Sequence, residues 1–226
     1  MKNRYLILPT ALLILFLSIA SASALPTTSW HSGQLTFSNK EIVYGDLSYN
    51  WSTETVLLRQ PNGRVCAFSA SQVEQFGWFD TKLDKQRSFI ALSDQVDPRD
   101  KRGFYEIYMD GPLAVVRKIR RPRGLFKRSF SHPAYYNDQP QLAQNTDLFC
   151  YFVYDAGRLR AFDRFYLDIY EPLMTAYAQK IQQYVDTHNI NERSLLGRLV
   201  VVDHYNFLVQ QDPETASVKA ASNAQE

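Results

Sequence analysis

Four histidines and two cysteines are the residues of this chain best suited to hold a metal or attack a carbonyl: His31, His132, His188, His204, Cys66 and Cys150. Their spacing argues against the familiar devices. No two histidines stand in an H-x-x-H or H-E-x-x-H arrangement, which would put both on one helix face around a zinc ion. The chain has no C-x-x-C, no G-x-S-x-G nucleophile elbow and no glycine loop of the phosphate-cradling kind. Cys66 could pair in space with a distant histidine as a nucleophile, because such partners need not be near in sequence. Asp203 and His204 are neighbours, but adjacent residues on a helix or strand point apart, so they read as a partly exposed pair. Two carboxylates flanking a glycosidic bond are recognised only by their separation in space. The sequence therefore nominates no catalytic residue, no metal ligand and no cofactor. It leaves a hydrolase with a dispersed site as the least favoured of three readings.

Two other features carry binding chemistry. Cys66 and Cys150 form an even pair, which permits one disulfide in an exported protein; the alternative is two buried free thiols acting as small hydrophobes. Seven basic residues crowd one stretch: Arg117, Lys118, Arg120, Arg121, Arg123, Lys127 and Arg128. They read either as a solvated strand end, guarded by charge against edge pairing, or as a patch facing an anion such as a phosphorylated lipid or polysaccharide. Along the strand, Leu113, Val115 and Ile119 share a face with Arg117.

Charge balance sets these features in context. Residues 1–24 read as a secretory signal peptide: Lys2 and Arg4, an apolar run from Tyr5 to Ile19, then Ala22-Ser23-Ala24 before Leu25. Cleavage there places the protein in the periplasm or outside the cell, at the cell envelope, with no transmembrane segment in the mature chain. Without Lys2 and Arg4, 23 basic residues face 23 acidic ones. The mature net charge is zero, which together with export excludes nucleic acid as the partner. Outside the basic run the mature chain is acidic by seven charges, so the run is one cationic segment on an acidic body.

The elements that must position these residues change period along the chain. Residues 25–161 carry short alternating runs bounded by turn signals, among them ETVLLRQ and RVCAF around Pro61-Asn62-Gly63, then RSFIAL, FYEIYM, LAVVRKI and DLFCYFVY. They predict an antiparallel meander, as a curled or barrel-like sheet. Asp110-Gly111 looks like a tight hairpin turn, but Pro112 has no N–H to close it, so a three-to-five-residue loop is expected. Tyr135-Tyr136 and the many other aromatics could line a ligand cavity or simply fill a core. From Phe162 to residue 208 apolar residues recur at three- and four-residue intervals, predicting two or three helices packed on the sheet. Pro172 is expected in the first turn of a new helix after one that ends near Tyr170, and Asn191 as the N-cap of the last. Residues 209–226 are small and polar and read as a disordered tail. The fold class is α+β.

Several stretches carry a resemblance: Gly45-Asp46-Leu47-Ser48-Tyr49, the V-x9-C-x-F-S-A-S-Q-V-E-Q-F run from Val56 to Phe76, R-S-F-I-A-L, Y-E-I-Y-M-D-G-P-L, and the closing Tyr205-Asn206. In this layout, over residues 34–208, the chain resembles a family of uncharacterised exported proteins of Bacteroidetes-type bacteria. The resemblance implies an exported β-rich domain with a helical end, and carries over no catalytic residue. Three function classes are compatible with these features. The favoured one is a non-enzymatic exported domain that interacts with a protein or envelope component. The others are a ligand-binding β-structure with an aromatic-lined cavity, and the dispersed hydrolase.

Overall fold

Two-residue alternation builds most of this molecule. The computed structural model describes residues 29–51, 53–93, 102–120 and 146–212. Within them lie ten strands: β1 (His31–Phe37), β2 (Ile42–Asn50), β3 (Thr55–Arg59), β4 (Val65–Phe68), β5 (Val73–Asp80), β6 (Lys85–Ser93), β7 (Arg102–Met109), β8 (Ala114–Ile119), β9 (Phe149–Asp155) and β10 (Arg158–Ala161). They form a single antiparallel sheet in the order β10-β9-β8-β7-β6-β5-β1-β2-β3-β4. The expected meander is therefore present, with one change of order: β5 returns to pair with β1 instead of β4. Among the described residues β4 and β10 are unpaired edges, so the sheet is open.

The sheet is strongly curled. Trp51, just past β2, lies 5.3 Å from Phe149 at the start of β9 by ring centroids. The two strands are six places apart in the sheet, which would be roughly 29 Å in a flat one. Lys118 of β8 likewise reaches Glu54 before β3, at 3.1 Å. Close backbone approach helps the curl: a Cβ on Gly33 of β1 would sit 2.3 Å from the Gly77 carbonyl oxygen of β5. The concave face is filled by rings. Tyr49 touches Trp51, Phe76, Phe89 and Phe104 at centroid distances of 4.8 to 5.9 Å, and Phe76 stacks on Phe89 at 4.7 Å.

Helices complete the core over β8 and β9. A 3-10 turn (Phe162–Arg164) leads into a π-helix (Phe165–Met174), a second 3-10 turn (Thr175–Tyr177), α1 (Ala178–His188) and α2 (Leu195–Gln211). Phe162, Phe165, Ile169, Met174, Ile181, Leu199 and Val202 are buried in the same core as Val115, Phe149 and Val153. Two sequence expectations need correction here. Pro172 does not start a helix; it lies inside the π-helix. A proline N–H is missing and its ring crowds the carbonyl four residues back, and a widened turn relieves both. The N-cap of α2 is Ser194, whose Oγ accepts the Gly197 N–H at 3.0 Å, and not Asn191. Asn191 instead shapes the preceding turn, its side chain accepting the Arg193 N–H and its carbonyl accepting from Ser194.

Pro112 has the expected effect on its hairpin. The ladder pairs Met109 with Val115, so the hairpin closes through a wider loop. The Leu113 N–H goes to Asn206 Oδ1 of α2 at 2.8 Å, and Asn206 Nδ2 donates to the Leu113 carbonyl at 3.0 Å. One amide side chain thus replaces the missing backbone partner on both sides. The helix α2 runs on through Gln211 with Val209 buried, three residues into the expected tail; residues 1–24, the Tyr135-Tyr136 pair and the chain beyond Asp212 lie outside the described residues. No helix among the described residues is long and apolar enough to cross a membrane.

Candidate functional site

A buried group of titratable residues lies on the filled face of the sheet, near the β5–β6 and β7–β8 hairpin ends. Alternation puts it there. Arg87 shares a face with Phe89 on β6, Glu106 with Phe104 on β7, and Arg117 with Val115 on β8, all of them buried. Glu106 is directly opposite Arg117 in the ladder. Its Oε1 accepts from Arg87 Nε at 2.7 Å, and its Oε2 accepts from Arg117 Nε at 2.7 Å. Asp80, at the end of β5, faces Arg87 Nη1 at 3.6 Å. Its other oxygen accepts the Lys82 and Leu83 N–H groups of the β5–β6 turn.

Two acids thus meet two guanidiniums, each packed against rings. Arg117 lies 4.1 Å over Phe149 and 5.0 Å over Tyr108; Arg87 lies 5.4 Å from Trp78 and 5.3 Å from Phe89. Burial alone would push the Glu106 carboxyl up, but the flanking arginines outweigh it and hold the group below its ordinary 4.5. Half-buried Lys85 stands beside the cluster. Burial lowers its amine from the usual 10.5; Glu106 opposes this, while Arg117 and Arg87 reinforce it. Burial also raises the Tyr151 phenol, against the pull of Arg117. Chemically this is an internally neutralised ion cluster sealed under aromatic cover. Arg87, Arg117 and Glu106 are each at most 1% exposed, which leaves them no surface to offer a ligand.

This geometry corrects the reading of the basic run. Arg117 faces Glu106 inside the core, not an anion outside. Lys118 is paired with Glu54 and lies over the Tyr105 ring at 5.0 Å. Of the proposed patch only Arg120 is exposed among the described residues; Arg121, Arg123, Lys127 and Arg128 lie outside them. Strand alternation already placed Arg117 with Val115 and Ile119. The signal missed was that RSFIAL and FYEIYM put one opposite or matching charge at the same inward position.

The disulfide reading is also corrected: Cys66 and Cys150 are both free. Cys66 is paired with Leu58 and so shares the filled face, whereas Cys150 is paired with Lys118 on the opposite face. Their side chains point to opposite sides of the sheet. The Asp203-His204 pair separates as expected, Asp203 being exposed. His204 stacks on Tyr184 at 3.7 Å, and burial, aided by His188 and opposed by Asp203, lowers its imidazole from the usual 6.5. No group of three or more metal-ligating side chains occurs among the described residues.

A second site is open to solvent. Beyond the end of β10, a notch of about 100 Å³ is lined by Arg120, Cys150, Tyr151, Phe162, Asp163 and Arg198, among others. Arg198 Nε donates to the Glu192 carbonyl at 3.1 Å and Nη1 to the Phe162 carbonyl at 2.8 Å. A wider trough of about 310 Å³ runs beside Tyr177, Lys180 and Asp212, where the Tyr177 hydroxyl donates to Asp212 at 2.7 Å. No family model, no curated protein and no solved structure matches this chain.

Proposed function

We propose that this chain is an exported, non-enzymatic domain that works through its outer surface by binding a component of the cell envelope. The observation that carries this reading is the state of the concave face. Its aromatic residues touch ring to ring at about core packing distances, and its charges neutralise one another inside. A ligand-binding barrel needs those rings to line an open space, and here they are one another's partners. Recognition is left to the outside of the molecule. Large apolar side chains stand exposed there, among them Tyr44, Leu167 and Leu196.

Fractionation of cells that express the full reading frame tests this. The protein is expected in the envelope fraction, and its release by salt would report an electrostatic contribution. Recovery wholly in the soluble periplasm or medium, with nothing co-purifying, overturns the reading.

A further inference from the structure

We infer that the notch between Arg120 and Arg198, with Leu196 and Tyr166 beside it, docks this chain on an anionic lipid surface, a headgroup phosphate entering between the two guanidiniums. The inference rests on the envelope-binding reading and names the component bound.

The basic run is the starting point. The structure occupies Arg117 with Glu106 and Lys118 with Glu54, which leaves Arg120 exposed at the end of β8. Arg198 arrives at the same notch from α2. Neither arginine has a carboxylate within ion-pair distance among the described residues. Arg198 is nevertheless fixed, because its two hydrogen bonds go to neutral carbonyls and its guanidinium rests 5.8 Å over Phe165. A guanidinium that is held in place yet uncompensated loses little freedom when it meets a phosphate. Asp163 also lines the notch, so the three charged groups sum to one positive charge. At about 100 Å³ the space suits a small oxyanion.

The second observation decides the source of that oxyanion. Leu196 is 65% exposed in the first turn of α2, the turn that brings Leu195 and Arg198 to the notch. Tyr166 is 39% exposed, and its ring lies 5.5 Å from that of Phe165, over which the Arg198 guanidinium rests. A soluble phosphate gives an exposed leucine nothing to contact. A bilayer surface engages both: the guanidiniums at the phosphate level, the leucine and the tyrosine ring at the acyl boundary.

The test uses the chain as processed by an export-competent host, sedimented with vesicles of phosphatidylglycerol and phosphatidylethanolamine or of phosphatidylcholine alone. Binding is expected to the anionic vesicles only, and to weaken as salt rises. Replacing a surface arginine is expected to reduce partition about fivefold, and Arg120→Gln with Arg198→Gln together about 25-fold. Because Arg198 also holds two carbonyls, Arg120→Glu and Leu196→Gln are tested separately, with thermal melts to confirm folding. Unchanged partition of these two exposed variants overturns the inference. So does saturable binding of free glycerol phosphate with no partition to anionic vesicles, which would assign the notch to a soluble phosphomonoester. Envelope association in cells without vesicle binding also overturns it, while leaving the envelope-binding reading intact with a protein as the partner.

Discussion

Glu106 is the residue on which the buried charges depend. Its two oxygens serve two guanidiniums that have no access to water. Removing one partner of a buried pair costs far more than the pair contributes, because the remaining charge is stranded. Glu106→Gln is therefore expected to lose about 3–5 kcal/mol in urea unfolding, while replacing Arg87, Glu106 and Arg117 together by apolar residues of similar volume, with Asp80→Asn so that no buried carboxylate is stranded, should lose much less. Equal losses would assign the cluster some other role. The same carboxyl gives a pH signature. Its folded value is depressed, so its contribution is fully present above the ordinary 4.5 and fades as pH falls through the lower folded value. Wild type should lose stability as pH falls from 4.5 through the folded value, and Glu106→Gln should lack this part of the acid limb. For the cysteines, alkylation of the unfolded, unreduced chain should add two adducts, since Cys66 and Cys150 face opposite sides of the sheet. A mass with no adduct would mean a bond that this geometry forbids.

Among elements, the joint between α2 and the β7–β8 hairpin has the clearest cause. Pro112 removes the donor a tight turn needs, the loop widens, and Asn206 pairs with both backbone groups of Leu113. Asn206→Ala leaves a buried N–H and a buried carbonyl without partners, and a loss of about 2–4 kcal/mol is expected by denaturant titration. Asn206→Asp is the sharper probe, because it keeps the acceptor but sets a carboxylate against the Leu113 carbonyl. If both variants unfold like wild type, the joint is incidental. Gly111 belongs to the same contact: a Cβ there would lie 2.7 Å from Asn206 Nδ2. The wide loop was legible from Pro112 alone, since a missing N–H is a property of one residue. Its partner was not, because Asn206 lies on another element and nothing local links the two. The π-helix was hidden for a similar reason. Proline announces a break in an α-helix, but whether the chain stops or widens depends on the packing of Phe165, Ile169 and Met174 on either side.

For the whole molecule, alternation was enough to read an antiparallel meander and then helices, but not the curl. Local periodicity says which side chains share a face; it does not say how far the sheet bends, nor that β1 separates β2 from β5. The basic run shows the consequence. Its sequence showed Arg117 on the same face as Val115 and Ile119, yet its partner Glu106, and the Arg87 that shares that carboxylate, appear only once three strands are set side by side. The notch was less legible still, since Arg120 and Arg198 meet only where β10 ends and the helical run begins. The curl itself can be measured through Trp51 and Phe149, which join strands far apart in the sheet. Each single truncation to Ala should cost about 3–5 kcal/mol, as for other large buried rings. A double-mutant cycle with Leu at both positions isolates the ring contact, expected at about 0.5–1.5 kcal/mol of coupling. In a flat sheet the two sites would lie beyond coupling distance, and their effects would simply add. Additive losses would therefore count against the folded-over sheet, and with it against a concave face too full to hold a ligand.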